Sequence, residues 1–96
     1  MEVIYHPLVQ RDVVEILRYY QDISPKLADE FEDELRATLA KAVSAPLRFH
    51  LTGRGFRRAN LNRFPYHFIY EVQTEVIRVM VVRHNKRHPE YGMGRA

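Results

Sequence analysis

Cysteine is absent from the 96-residue chain. Disulfides and thiolate metal centres are therefore excluded, and a reducing compartment suits the composition. No apolar run approaches the roughly 18 residues that a membrane-spanning helix needs. The opening MEVIYHPLVQ has no basic region leading into an apolar one, so no export signal is expected. These absences predict a cytoplasmic protein with no membrane partner. There is also no internal repeat, no low-complexity tract and no linker. The whole chain, residues 1–96, is read as a single domain with a modest core, as its size dictates.

Acidic residues are scarce in the second half. Residues 1–47 hold five Lys/Arg and nine Asp/Glu, a balance of −4, whereas residues 48–96 hold ten and three, a balance of +7. Four of the five histidines fall in that second half. Segregation of this kind predicts one basic face and an acidic or polyanionic partner.

What is present reads as helix first and strand later. EVIYH is a short opening strand stopped by Pro7. Val9, Val13, Ile16, Leu17 and Tyr20 recur at helical spacing, with Arg11, Asp12, Glu15 and Arg18 assigned to the wet face. Ser24 is a good N-cap and Pro25 suits the first position of a second helix, expected to run to about Val43. Its stripe is Ala28, Phe31, Leu35, Leu39 and Ala42. The segment RFHLTGRGF, with two glycines, reads as loop. Strands are expected at 56–61, 66–72 and 76–84, the last two joined by a hairpin-length QTE. The order β-α-α-β-β-β gives an α+β fold, a helical hairpin on one face of a small, mainly antiparallel sheet. The other face is expected to stay wet and to carry arginines.

The densest chemistry lies in VRHNKRHPEYG, residues 82–92. His84 and His88 are four apart, but no motif glutamate accompanies them, a proline follows, and Lys86 and Arg87 between them oppose a cation. No metal and no cofactor are expected. A second reading is metal-free RNA cleavage, which needs a proton acceptor, a cation for the charged transition state and an acid for the leaving oxygen. Histidine is the usual carrier of a proton near neutral pH, so His84 and His88 would move it, Arg83 or Arg87 would hold phosphate, and Tyr91 would stack or donate a proton. A solvated basic tail with no chemistry fits the same residues equally well.

Three segments, SPKLADEFEDEL, RRANLNRFPYHFIYEV and IRVMVVRHNKRHPEYG, resemble the RelE/ParE superfamily of toxins from type II toxin–antitoxin systems. The resemblance implies this β-α-α-β-β-β fold, a cytoplasmic setting and a toxin–antitoxin hetero-oligomer with an acidic antitoxin. It also implies one of two targets. A ParE-like member poisons DNA gyrase without chemistry of its own, and the long hairpin and the lysine-poor second strand favour this side. A RelE-like member is the alternative, cutting messenger RNA on the ribosome. In that case the resemblance points to Arg58, His67, Arg87 and Tyr91 for catalysis, although His67 stands where an arginine is usual, and the residue reading adds His84 as a proton carrier. In either case Arg57, Arg58, Arg63, Arg83, Lys86 and Arg87 are the expected contacts for target or antitoxin.

Overall fold

Ser24 ends one helix and begins the next. In the computed structural model, which describes residues 1–96, its backbone is extended, and its N–H donates to the Tyr20 carbonyl at 2.8 Å. Its hydroxyl accepts from Leu27 N–H at 3.4 Å, and Pro25 fills the first helical position, where a missing N–H costs nothing. The hairpin is therefore α1 (Val9–Ile23) and α2 (Pro25–Ser44) around a one-residue break. Before it lies β1 (Glu2–Tyr5). After it come β2 (His50–Leu51), β3 (Arg57–Asn60), β4 (Tyr66–Gln73) and β5 (Val76–His84). No helix is long and apolar enough to cross a membrane.

The strands form one sheet in the order β1-β5-β4-β3-β2. β1 runs parallel to β5 and every other pair is antiparallel. The fold is thus α+β with a mixed sheet, as expected, and with one strand more. β2 occupies part of the glycine-containing stretch read as loop, pairing His50 with Arg58 and Leu51 with Arg57. Two residues give no alternation to read. The turn after it is what makes the pairing possible. Arg54 and Gly55 both have positive φ, 63° and 79°, and Phe56 N–H donates to the Gly53 carbonyl, the geometry of a tight hairpin turn.

The helices cover the face carrying Ala59, Phe68, Tyr70, Ile77, Val79 and Val82. Phe64 and Tyr66 serve this core directly, while Pro65 between them is exposed. Phe64 and Tyr66 pack with Tyr20 and Phe31, ring centroids 5.1–6.0 Å apart and mostly edge to face, a preferred arrangement for aromatic quadrupoles. Pro65 keeps its carbonyl for Asn85 N–H at 2.8 Å.

β5 carries a bulge. Ile69 opposes Val81 and Tyr70 opposes Val79, leaving Met80 as the extra residue. The bulge switches which residues of β5 face the helices: Ile77 and Val79 before it, Val82 after it. Ile69, Met80 and Val81 are consequently buried away from that core.

Two expectations are corrected here. The face opposite the helices is not left wet. Residues 89–96 fold back across its middle, because Ile69 and Val81 need cover there. Asp12 is not on a wet face either; only 5% of it is exposed. Its spacing from Val9, Ile16 and Tyr20 puts it on the buried stripe.

Candidate functional site

β3, β4 and β5 bring four polar side chains together on the face opposite the helices. The ladder pairs Asn60 with His67 and His67 with Arg83, so their side chains stand in a row, and Arg58 lies one step along. Asn85, just past β5, closes the group. Arg83 Nε donates to His67 Nε2 at 2.9 Å. An arginine can only donate, so His67 Nε2 accepts, and its proton sits on Nδ1, facing Asn85 Oδ1 at 2.8 Å. Arg58 Nε donates to Asn60 Oδ1 at 2.8 Å, and its Nη2 reaches Asn85 Oδ1 at 3.5 Å.

His67 is 1% exposed. Burial pushes its pKa down to about 4; the Asn85 contact opposes that shift, while Arg58, Arg83 and His84 reinforce it. An unfolded imidazole titrates near about 6.5. Between those two pH values the unfolded chain therefore carries a proton that the native chain lacks. The contribution of His67 to stability is complete above the upper value and is lost as pH falls toward the lower one. The loss expected by pH 4.5 is roughly 2 kcal/mol. Urea unfolding at neutral pH and at pH 4.5 measures it, with His67→Gln as reference. Equal pH dependence in the two proteins would remove this assignment.

Arg83 is spent on the fold. Its Nη1 donates to the Pro89 and Tyr91 carbonyls, both at 2.8 Å, and so anchors the returning chain. Burial, with the nearby Arg58, pushes its pKa down from the ordinary arginine value, though it remains a cation. The other two candidate histidines are also engaged. His84 Nδ1 accepts from Lys86 N–H at 3.0 Å, and His88 Nδ1 accepts from Glu90 N–H at 3.1 Å. The Arg87 guanidinium lies 3.8 Å from the Tyr91 ring centroid, a close cation–π contact.

The remaining expected contacts lie elsewhere. Arg57 faces the helix side and donates to the Leu47 and Phe49 carbonyls at 3.0 and 2.8 Å. Arg63 pairs with Glu30 of α2 at 3.1 Å, on the hairpin flank. Lys86 and Arg87 are exposed beyond the end of β5. The structure therefore joins Arg58, His67 and Arg83, sets His84, Arg87 and Tyr91 nearby around the β5 terminus, and separates Arg57 and Arg63 from them. The ten basic residues of the second half do not form one face, because several neutralise acids or carbonyls of the fold itself.

Sequence reasoning missed Asn85, Asp12 and Arg95. Asp12 accepts both Arg95 Nη1 and Nη2, at 2.7 and 2.9 Å, and also Val82 N–H at 3.1 Å. The signal for Asp12 was its stripe position; Arg95, on irregular chain, offered none. For Asn85 the cue was a lone amide among cations directly after a strand.

Comparison with solved structures matches the fold to a chain described as "Chromosomal ParDE TA system from P. aeruginosa", at 17% identity, covering 88% of this chain and 95% of that one, with a TM-score of 0.77. No curated protein sequence matches significantly. The family model described as "ParE toxin of type II toxin-antitoxin system, parDE" matches residues 3–89, nearly the full length of the domain built above, and this chain belongs to that family of toxins.

Proposed function

We propose that this ParE-like toxin halts growth in the cytoplasm by binding DNA gyrase, that it transfers no proton itself, and that an acidic antitoxin neutralises it. The state of the histidines carries the reading. General-base catalysis needs an imidazole lone pair free to meet a substrate hydroxyl. In His67, His84 and His88 that lone pair already accepts an internal hydrogen bond. His67 is moreover buried and held neutral, so its role is to orient Arg83 and Asn85. A nuclease would have to dismantle this network before its first turnover.

For the antitoxin, the hairpin offers an apolar groove of about 600 Å³ beside β1, lined by Tyr5, Val9, Val13, Leu17, Leu35 and Leu39, with Glu32 and Arg36 on its rim. An amphipathic segment with apolar residues every third or fourth position suits it. Acidic residues flanking that segment would meet the exposed cations Lys86 and Arg87 beyond the β5 terminus.

The decisive experiment uses purified full-length protein. With gyrase, ATP and relaxed plasmid, supercoiling should fall and cleaved DNA should accumulate. After induction in cells, primer extension on translated messages should show no new codon-linked ends. Such ends alongside normal supercoiling would overturn the proposal.

A further inference from the structure

The tight turn at residues 53–55 holds an oddity. Its first central position, Arg54, has a φ of 63°, a conformation that L-residues with large side chains rarely adopt and that asparagine or glycine adopts far more readily. Strain kept at a surface turn calls for a reason in what the side chain does. Arg54 Nη2 donates to both carboxylate oxygens of Glu90, at 3.1 and 3.3 Å, across 36 residues of sequence. Between the turn and residues 89–93 lies an open cleft of about 300 Å³, into which Arg58 and Arg83 also face. Three arginines and one carboxylate thus line the same cleft. Arg58 is otherwise satisfied only by neutral amides, and Arg83 only by carbonyls and an imidazole.

We propose that this cleft is a carboxylate-binding site for an acidic peptide, with Glu90 as its built-in occupant. The inference rests on the reading that the partner is acidic, and it names where one of that partner's carboxylates docks. Glu90 shows that the geometry fits a carboxylate. It is also easily displaced: the side chains of Arg54 and Glu90 are 60% and 65% exposed, and pairs this wet hold only weakly. The lining contains no aromatic ring on which a base would stack, which favours a peptide over a single-stranded nucleic acid. An incoming glutamate or aspartate would replace Glu90 on Arg54, gain Arg58 as a further donor beside the positive charge of Arg83, and release residues 89–93 from the turn.

Fluorescence anisotropy with a labelled oligoglutamate peptide and the full chain tests this. Removing the resident carboxylate in Glu90→Gln should tighten binding roughly two- to fivefold, the inverse of the fraction of time the site is free of Glu90. Asp29→Asn, the same charge change on the exposed side of α2, should leave affinity unchanged. Arg54→Asn, whose backbone suits the turn, should weaken binding about tenfold while its Tm stays equal or rises. Equal tightening in Glu90→Gln and Asp29→Asn would reduce the effect to net charge and overturn the site. So would absence of peptide binding, or unchanged affinity in Arg54→Asn. Tightening for oligothymidylate in place of the peptide would reassign the ligand and overturn it as well. Supercoiling measured on the same Glu90→Gln protein reads the gyrase proposal separately, so either can fail alone.

Discussion

Asp12→Ala should lower the unfolding free energy by about 3–5 kcal/mol, because it strands a buried guanidinium. By the usual scaling for a chain of this size, Tm should fall by more than about 10 °C. The carboxylate does three things at once. It takes two donors from Arg95, which also donates to the Met80 carbonyl at 2.9 Å, and it accepts Val82 N–H. The last contact explains the placement. β1 pairs with β5 only as far as Val79 and then turns away at Pro7, so the outer edge of β5 continues without a strand beside it. Asp12 and Arg95 satisfy part of that edge in place of a strand. A buried pair of this kind is not by itself evidence of large net stabilisation, since desolvation opposes it; what is large is the penalty for removing one member. The double variant Asp12→Leu/Arg95→Met should therefore recover much of the loss. A residue of roughly 1–3 kcal/mol should remain for the orphaned Val82 N–H and Met80 carbonyl. Urea unfolding of the three proteins decides it, and Asp12→Ala within 1 kcal/mol of the parent would show that the clasp contributes little.

The same clasp shows what sequence pattern conveys and what it does not. Helices were legible because Val9, Ile16, Tyr20, Phe31 and Leu35 repeat at helical spacing and because Ser24 and Pro25 punctuate them. β4 and β5 were legible from their β-branched and aromatic runs. The apolar residues on both faces of β5 were taken as the mark of a central strand, and β5 does lie between β1 and β4. Part of that two-sided pattern, however, comes from the bulge at Met80, which swaps faces midway. A bulge leaves no trace in a single sequence, because any residue can occupy it. The cover over the second face was illegible for a related reason: residues 89–96 adopt turns, whose packing follows no period. Arg58, His67 and Arg83 were picked as functional candidates by residue type, and register brought them together. Their hydrogen-bond partners, which decide what chemistry they can do, depend on tautomer and on side-chain reach, neither of which has a sequence signature. The asymmetry of charge was real in sequence but was partly consumed internally. Arg54, Arg63 and Arg95 each found an acid, and Arg57 found two carbonyls.

Gly92→Ala should cost about 3 kcal/mol and lift the returning chain off the sheet. Two causes add. Gly92 has a φ of 82°, which an alanine tolerates poorly, and a Cβ built there would sit 2.6 and 2.7 Å from Val81 Cγ2 and Cβ. Val81 is fully buried on β5 and cannot move aside, since the strand behind it is paired on both sides of the bulge. The two causes separate in a double-mutant cycle. Val81→Ala opens the space but does nothing for φ. In that background Gly92→Ala should cost only the backbone share, about 1–2 kcal/mol, and the coupling between the sites should reach at least about 1 kcal/mol. Additive losses would mean that no steric conflict exists and that residues 89–96 lie further from the sheet than the contact implies. Hydrogen exchange adds a structural readout. Residues 89–96 should lose protection in Gly92→Ala, while the β4–β5 ladder, which does not depend on them for its hydrogen bonds, should keep its own. The Arg83 anchor at Pro89 and Tyr91 would be lost with the returning chain, and His67 would then gain water. Its pKa should rise from about 4 toward that of a free imidazole, so proton NMR of that one ring reports whether the second face is covered in solution.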